Sequence, residues 1–292
     1  MSIHCATCII LLLLNFSLPA AEPVLLKPHW EPGKVYTQET TTEMNFKVPA
    51  LLDATDQKTN ITQILTVTVA KDGESDRKVA EVRVLSLKGT MDLMGQTLNY
   101  DSASPAQSPP FLQQAFGTLA GKSFSLIYDQ GDSYVETRTT DPHAPTTPLG
   151  SGKNITSQQL SDAFRKSQEI PLPKKAVTVG DTWRYQDKLE MPPVGVIKIE
   201  VSGKFDSVVE ENGHRQAKLV IEGAFQFPQN EGSIITIAPG SKFTGDLFFD
   251  LDRKVVTRST TISTINVLIE GKEAPLSQIL KTKLISIEDA PR

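Results

Sequence analysis

The chain has 292 residues, 39% of them hydrophobic and 22% charged. That is enough to bury a sizeable core and lies outside the composition of disordered chains. Its formal net charge of −4 and the absence of any dense Lys/Arg run give no basic footprint, so no nucleic-acid partner is expected.

The first element is an apolar run. From Cys5 to Leu14 almost every residue is apolar, and Asn15, Ser17, Pro19 and the small pair Ala20-Ala21 follow. A short apolar run, a break and small residues form a secretory signal pattern. The run is shorter than the roughly 20 residues that span a bilayer. Residues 1–21 are therefore expected to be a signal peptide. The pattern lacks a Lys or Arg ahead of the run and a clean A-x-A, which leaves an uncleaved anchor as the alternative. Cys5 and Cys8, the two cysteines of the protein, stand in a C-x-x-C spacing inside this segment. Cleavage would remove both, and a mature chain without cysteine has no disulfide, thiolate or Cys-bound metal. No other long apolar run follows, so the mature chain is expected to be soluble, with no transmembrane segment, in the periplasm or outside the cell.

The rest reads as β-rich. In "ITQILTVTVA" (61–70), Leu65, Val67 and Val69 alternate with threonines. "VAEVRVLSL" (79–87) places Val82 and Val84 on one face and then shifts to Leu85 and Leu87, which predicts a bulge. Alternation with one polar face marks antiparallel sheets packed on one side. A polar insert spans residues 101–110. "SPPFLQQAFGTLAG" (108–121) predicts a helix with Phe111, Leu112, Ala115, Phe116 and Leu119 as its apolar stripe. A Pro/Gly/Thr/Ser-rich stretch (141–154) predicts a linker, and "TSQQLSDAFRKSQ" (156–168) a second helix carrying Leu160, Ala163 and Phe164. "IPLPKK" stops that helix. Alternating segments resume at "VIKIEVSGKF" (196–205) and "AKLVIEGAFQF" (217–227), the latter with Phe225 and Phe227 on its apolar face, and continue to the end. "KDGESD", "ENGH" and "DLDRK" punctuate them as turns.

Two blocks recur in the same order on either side of the linker. Glu31–Met44 aligns without a gap to Thr178–Met191, matching Gly33 with Gly180, Tyr36 with Trp183, and Glu43-Met44 with Glu190-Met191. Tyr128–Thr140 resembles Phe249–Thr261 with one gap, each following a Gly-Lys-Phe neighbourhood. The fold class expected is mainly β: two related antiparallel-sheet halves, curved or barrel-like, with one or two short helices. The halves are placed at 30–140 and 174–290, with a linker and short helix at 141–173.

"HWEPGKVY", "LAGKSFSLIYD", "IPLPKKAVTVGDTW" and "GSKFTGDLFFDLDRKVV" resemble a family of exported bacterial proteins, a domain of unknown function with a β-rich duplicated body behind a signal sequence. The resemblance covers most of the mature chain, and the V-G-D-T-W opening of the second half is its most specific part. It implies compartment and architecture and carries no catalytic residue.

No motif points to catalytic residues, a metal or a cofactor. His4, His29, His143 and His214 form no H-x-H or H-E-x-x-H spacing. There is no G-x-S-x-G elbow and no nucleotide-binding glycine motif. Asp129 with Asp132, and Asp250 with Asp252, recur at equivalent places. They read as hairpin-turn aspartates; the alternative is a hydrolase whose carboxylates face each other across a cleft. Trp30, Trp183, Tyr36 and Tyr185 read as plugs at a sheet end, or alternatively as an apolar or sugar-binding surface. If the helices cover the concave side of a curved sheet, an apolar ligand or lipid would be lined by Phe111, Phe116, Phe164 and Phe225. The function expected is thus an exported, non-enzymatic cell-envelope protein that binds an apolar ligand or lipid. The alternatives are a structural or protein-interaction module of the envelope, and a hydrolase.

Overall fold

The computed structural model describes residues 22–47, 56–73, 75–93, 95–117, 119–139, 145–149, 153–191, 195–226, 235–269 and 271–291. The expected signal segment and Phe227 lie outside them.

The chain is mainly β. The first half contributes β1 (Lys34–Lys47), β2 (Asp56–Lys71), β3 (Lys78–Leu93), β4 (Gln96–Asp101), β5 (Ser123–Tyr128) and β6 (Tyr134–Arg138). A 3-10 turn (Pro105–Gln107) and helix α1 (Pro110–Phe116) lie between β4 and β5. A short pair follows, β7 (Pro145–Leu149) with β8 (Lys153–Thr156), and then helix α2 (Ser157–Glu169). The stretch expected as a linker thus carries a two-stranded sheet as well as its helix. The second half contributes β9 (Thr182–Met191), β10 (Gly195–Glu211), β11 (His214–Gln226), β12 (Ile235–Ile237), β13 (Lys242–Asp250), β14 (Val255–Ile269) and β15 (Lys272–Asp289).

Among the described residues, 13 strands form one antiparallel sheet in the order β6-β5-β3-β2-β1-β15-β14-β13-β11-β10-β9, with β4 beside β3 and β12 beside β14. The halves meet where β15 pairs with β1. Each half is a five-strand meander of the same succession, β1-β2-β3-β5-β6 and β9-β10-β11-β13-β14. Gly33 and Gly180 precede the first strand of each meander with φ of 84° and 96°. Only glycine adopts that conformation without strain. The last hairpins also correspond. The β5–β6 turn holds Asp132 at φ 60° and the β13–β14 turn holds Lys254 at φ 53°, and each hairpin carries a register shift just beyond its turn.

The sheet is strongly curved. β5 stands second and β9 eleventh in the strand order, nine steps apart. A flat sheet would separate them by about 43 Å at ~4.8 Å per step. Yet α2 packs against both β5 and β9. The sheet therefore wraps most of the way round, and α2 lies across the gap between its ends without the strands closing.

The inner, concave face holds the core. At the end nearest α2, Tyr36, Val67, Val82, Leu126 and Tyr128 form one cluster with Val255 of the other half. Phe205, Leu219, Leu247, Phe249 and Val256 form its counterpart. Trp183 lies flat over Gly203, its cross-strand partner, where a Cβ would collide with the indole. The predicted bulge is present: the β2–β3 register shifts between Ile64 and Leu65, leaving Leu85 extra and 51% exposed.

Candidate functional site

The strands alternate, so one set of side chains lines the whole concave wall. On β1 it is Gln38, Thr40, Thr42, Met44 and Phe46; on β15 it is Leu284, Thr282, Leu280, Gln278 and Leu276. On β14 it is Ser259, Thr261, Ser263 and Ile265. Direct pairing arranges these in rows across three strands: Thr40–Thr282–Ser259, Thr42–Leu280–Thr261, Met44–Gln278–Ser263 and Phe46–Leu276–Ile265. Apart from Ser263, which is 6% exposed, the row members are half-buried, unlike the sealed clusters at the α2 end.

Two apolar clusters flank this strip. On one side Ile197, Ile199, Val201, Ile221 and Phe243 are buried, with Phe225, Tyr185 and Ile170 against them. On the other side Leu87, Tyr100 and Leu112 are buried under α1, with Ile61, Met91, Phe116 and Leu119 against them. The result is an open trough, apolar on both flanks and sealed at the α2 end.

The four phenylalanines expected to line one pocket are spread out. Phe225 tilts against Phe243 at 5.2 Å between ring centroids, on one flank of the trough. Phe116 tilts against Tyr100 at 5.4 Å, on the other. Phe164 of α2 stands edge-on to Phe124 at 6.0 Å and belongs to the sealed end. Phe111 is 45% exposed and belongs to none of the buried clusters. The central hydroxyl-bearing rows escaped the sequence reading. The threonine alternation was visible, but which face it shared with Leu276 and Leu280 depends on the β1–β15 register shift between Thr37 and Gln38.

The turn aspartates hold their own turns. Asp132 is nearly buried and pairs with Lys78 Nζ (2.5 Å) and His29 Nδ1 (2.7 Å), and it accepts the Trp30 N–H (3.2 Å). Burial pushes its carboxyl up, but Lys78, His29 and the Trp30 N–H together outweigh that and hold it below the usual carboxylate range. His29 in turn donates its backbone N–H to the Lys254 carbonyl (2.8 Å). The two equivalent left-handed turn residues thus clamp the same N-terminal segment. Asp250 is fully buried and accepts the N–H groups of Asp252 (2.9 Å) and Arg253 (2.7 Å) and the Arg253 guanidinium (2.7 Å). Asp129 accepts the Ser133 N–H (2.7 Å), and Asp252 pairs with Arg215 (2.8 Å). His214, Asp250 and Asp252 come close enough to share a cation. Arginines and backbone N–H groups already occupy both carboxylates, so the donor set fits a metal poorly.

A small cavity of about 210 Å3 lies beside this clamp, lined among others by Trp30, Tyr128, Tyr134 and Glu169. Burial pushes the Glu169 carboxyl up, against the opposing pull of Arg165. Burial likewise raises the phenols of Tyr128 and Tyr185. Trp183 Nε1 and Tyr185 Oη are buried without a hydrogen-bond partner among the described residues.

No protein-family model matches the chain, and no curated protein matches it. A solved structure described as "lipid–protein interactions in lipovitellin" superposes over 90% of this chain with a TM-score of 0.54 at 10% identity. The chain spans 26% of that lipovitellin chain. At this identity the likeness establishes the fold: a large curved antiparallel sheet. DynF, from the dynemicin biosynthesis pathway of Micromonospora chersina, aligns over 91% of this chain and 86% of its own at 9% identity. Its TM-score is 0.22. Among the described residues no helix is long and apolar enough to cross a membrane.

Proposed function

We propose that this chain is an exported, soluble, non-enzymatic protein of the cell envelope that holds a lipid or similar apolar ligand in the curve of its sheet. The observation that carries the reading is the trough. Its flanks are apolar clusters, its inner end is sealed by α2, and its central rows stay half-buried. A concave, largely apolar surface with few polar groups is the usual form of a small-molecule site. The lipovitellin structure, whose description names lipid–protein interactions, shares the curved sheet and supports the same reading. The roles found for Asp129, Asp132, Asp250 and Asp252 are those of turn and clamp residues, which weighs against the hydrolase alternative. Native mass spectrometry of the protein purified from its own host tests the proposal. A co-purifying lipid is the expected result. A bare chain that also fails to take up added lipid would overturn it.

A further inference from the structure

The central strip of the trough is lined without charge. From Gln38 to Phe46, from Ser259 to Val267 and from Ala274 to Leu284, no concave-facing residue of β1, β14 or β15 is Asp, Glu, Lys, Arg or His. The charges of these strands sit on the outer face, where Glu43 pairs with Lys281 (2.7 Å) and Arg258 with Glu211 (2.5 Å). The inner rows are not simply apolar either. They carry the hydroxyls of Thr40, Thr282, Ser259, Thr42, Thr261 and Ser263 and the amide of Gln278. Thr40 and Thr282 bond each other (3.3 Å). The side chains of Thr42, Thr261, Ser263 and Gln278 make no hydrogen bond to another described residue, although Ser263 is 6% exposed. The next concave row outward places Phe46, Leu276 and Ile265 together.

A buried hydroxyl or amide without a partner costs more than the same position filled by a methyl group. Here Thr42, Thr261 and Gln278 are half-buried, so their polar groups remain open to a partner from outside the chain. Grouped between two apolar flanks, with Ser263 beside them, they match a ligand that is polar in the middle and apolar on either side. Building on the lipid-binding reading above, we propose that the ligand is an uncharged lipid with an ester or hydroxyl group, such as an acylglycerol. Its polar group sits on Thr42, Thr261, Ser263 and Gln278. Its chains lie along the half-buried Phe225 on one side and the half-buried Phe116 and Met91 on the other. A carboxylate or phosphate seated there would lose its hydration with no cation to replace it, which disfavours fatty-acid anions and phospholipids.

The test uses the full chain and three detergent-solubilised fluorescent probes of equal chain length: a diacylglycerol, a fatty acid at pH 8 and a hydrocarbon. The diacylglycerol is expected to bind at least tenfold more tightly than the fatty acid. Thr261→Val with Ser263→Ala is expected to weaken diacylglycerol about tenfold, from the loss of one or two hydrogen bonds, and to leave hydrocarbon binding unchanged. Gln278→Leu, which keeps the bulk, should act in the same direction. A fatty acid that binds as tightly as the diacylglycerol overturns the proposal. So does a hydroxyl variant that weakens ester and hydrocarbon alike. If no probe binds at all, the lipid-binding reading itself fails. If the variants do not fold, the comparison of the three probes on the native chain still decides.

Discussion

Asp132→Asn isolates one charge at the point where the two halves are tied together. Asparagine tolerates the left-handed backbone seen at φ 60°, and its side-chain oxygen still accepts the Trp30 N–H. What it loses is the negative charge beside Lys78. Both side chains of that pair are largely withdrawn from water, at 7% and 11% exposure. Removing one partner of such a pair leaves an uncompensated charge and costs about 3–5 kcal/mol. His29 is 40% exposed and softens the site, which places the expectation near the lower end, about 3 kcal/mol. In a chain of this size that lowers the melting temperature by about 6–12 °C. Urea titration at pH 7, followed by tryptophan fluorescence, measures the midpoint and the slope. Adding Lys78→Met removes the stranded ammonium and is expected to recover more than half of the loss. A loss below about 1 kcal/mol, or a double variant no more stable than Asp132→Asn alone, would refute the argument that the pair is a buried tie.

The same carboxylate sets an acid limit. Because Asp132 is held below its ordinary value, the folded state binds its proton less readily than the unfolded chain does. Its contribution is complete above about pH 4 and fades as the pH falls through the folded value. The stability gap between wild type and Asp132→Asn should narrow as the pH falls below about 4, and an undiminished gap in strong acid would contradict this. Gly203→Ala places a methyl group in the Trp183 ring. It is expected to cost about 2–3 kcal/mol and to shift tryptophan emission to the red; unchanged emission with full stability would mean that the indole does not rest there. Leu280→Asp puts a charge in the middle of the uncharged trough at a half-buried position. Lipid uptake should be lost while the melting temperature changes little, and retained uptake would place the ligand elsewhere. On the signal-peptide reading, the intact mass of the protein recovered from its host should correspond to a chain beginning near Glu22 and lacking cysteine; a mass that includes Cys5 and Cys8 would show that the apolar run is kept.

Architecture was legible because it rests on local periodicity. Alternation in "ITQILTVTVA" and "VIKIEVSGKF" placed β2 and β10, and the shift from Val84 to Leu87 announced the bulge at Leu85. The recurring glycines and turn aspartates mark the two meanders, since left-handed backbone and turn hydrogen bonds leave few residue choices. The first helix came out shorter than its apolar stripe, ending at Phe116. The trough was not legible. Its rows join β1 to β15 across more than two hundred residues of chain, and one bulge decides which side chains face inward. Phe116, Phe164 and Phe225 each join a different apolar cluster, and Phe111 joins none. Helix and strand patterns, however, show only that a residue faces apolar surroundings and not which cluster it joins.

The seam between the halves accounts for both the curvature and the trough. A five-strand meander repeated once leaves β1 and β14 as the inner edges, and β15 fills the gap by pairing with both. Away from the seam, large apolar side chains gather into the clusters on the inner face, where α1 and α2 pack onto them. At the seam threonine, serine and glutamine alternate with Met44, Leu280, Leu276 and Ile265 on the inward face. The polar ones pack in a sheet without demanding apolar cover, because β-branched threonine suits the strand and its hydroxyl tolerates water. The wall opposite α2 is therefore free to stay uncovered while the two flanks collapse into clusters. A uniformly apolar seam would have closed the sheet onto itself or onto a neighbouring molecule. A charged seam would have excluded lipid chains. Hydroxyl rows between apolar flanks let the sheet keep a concave strip that is neither sealed nor charged.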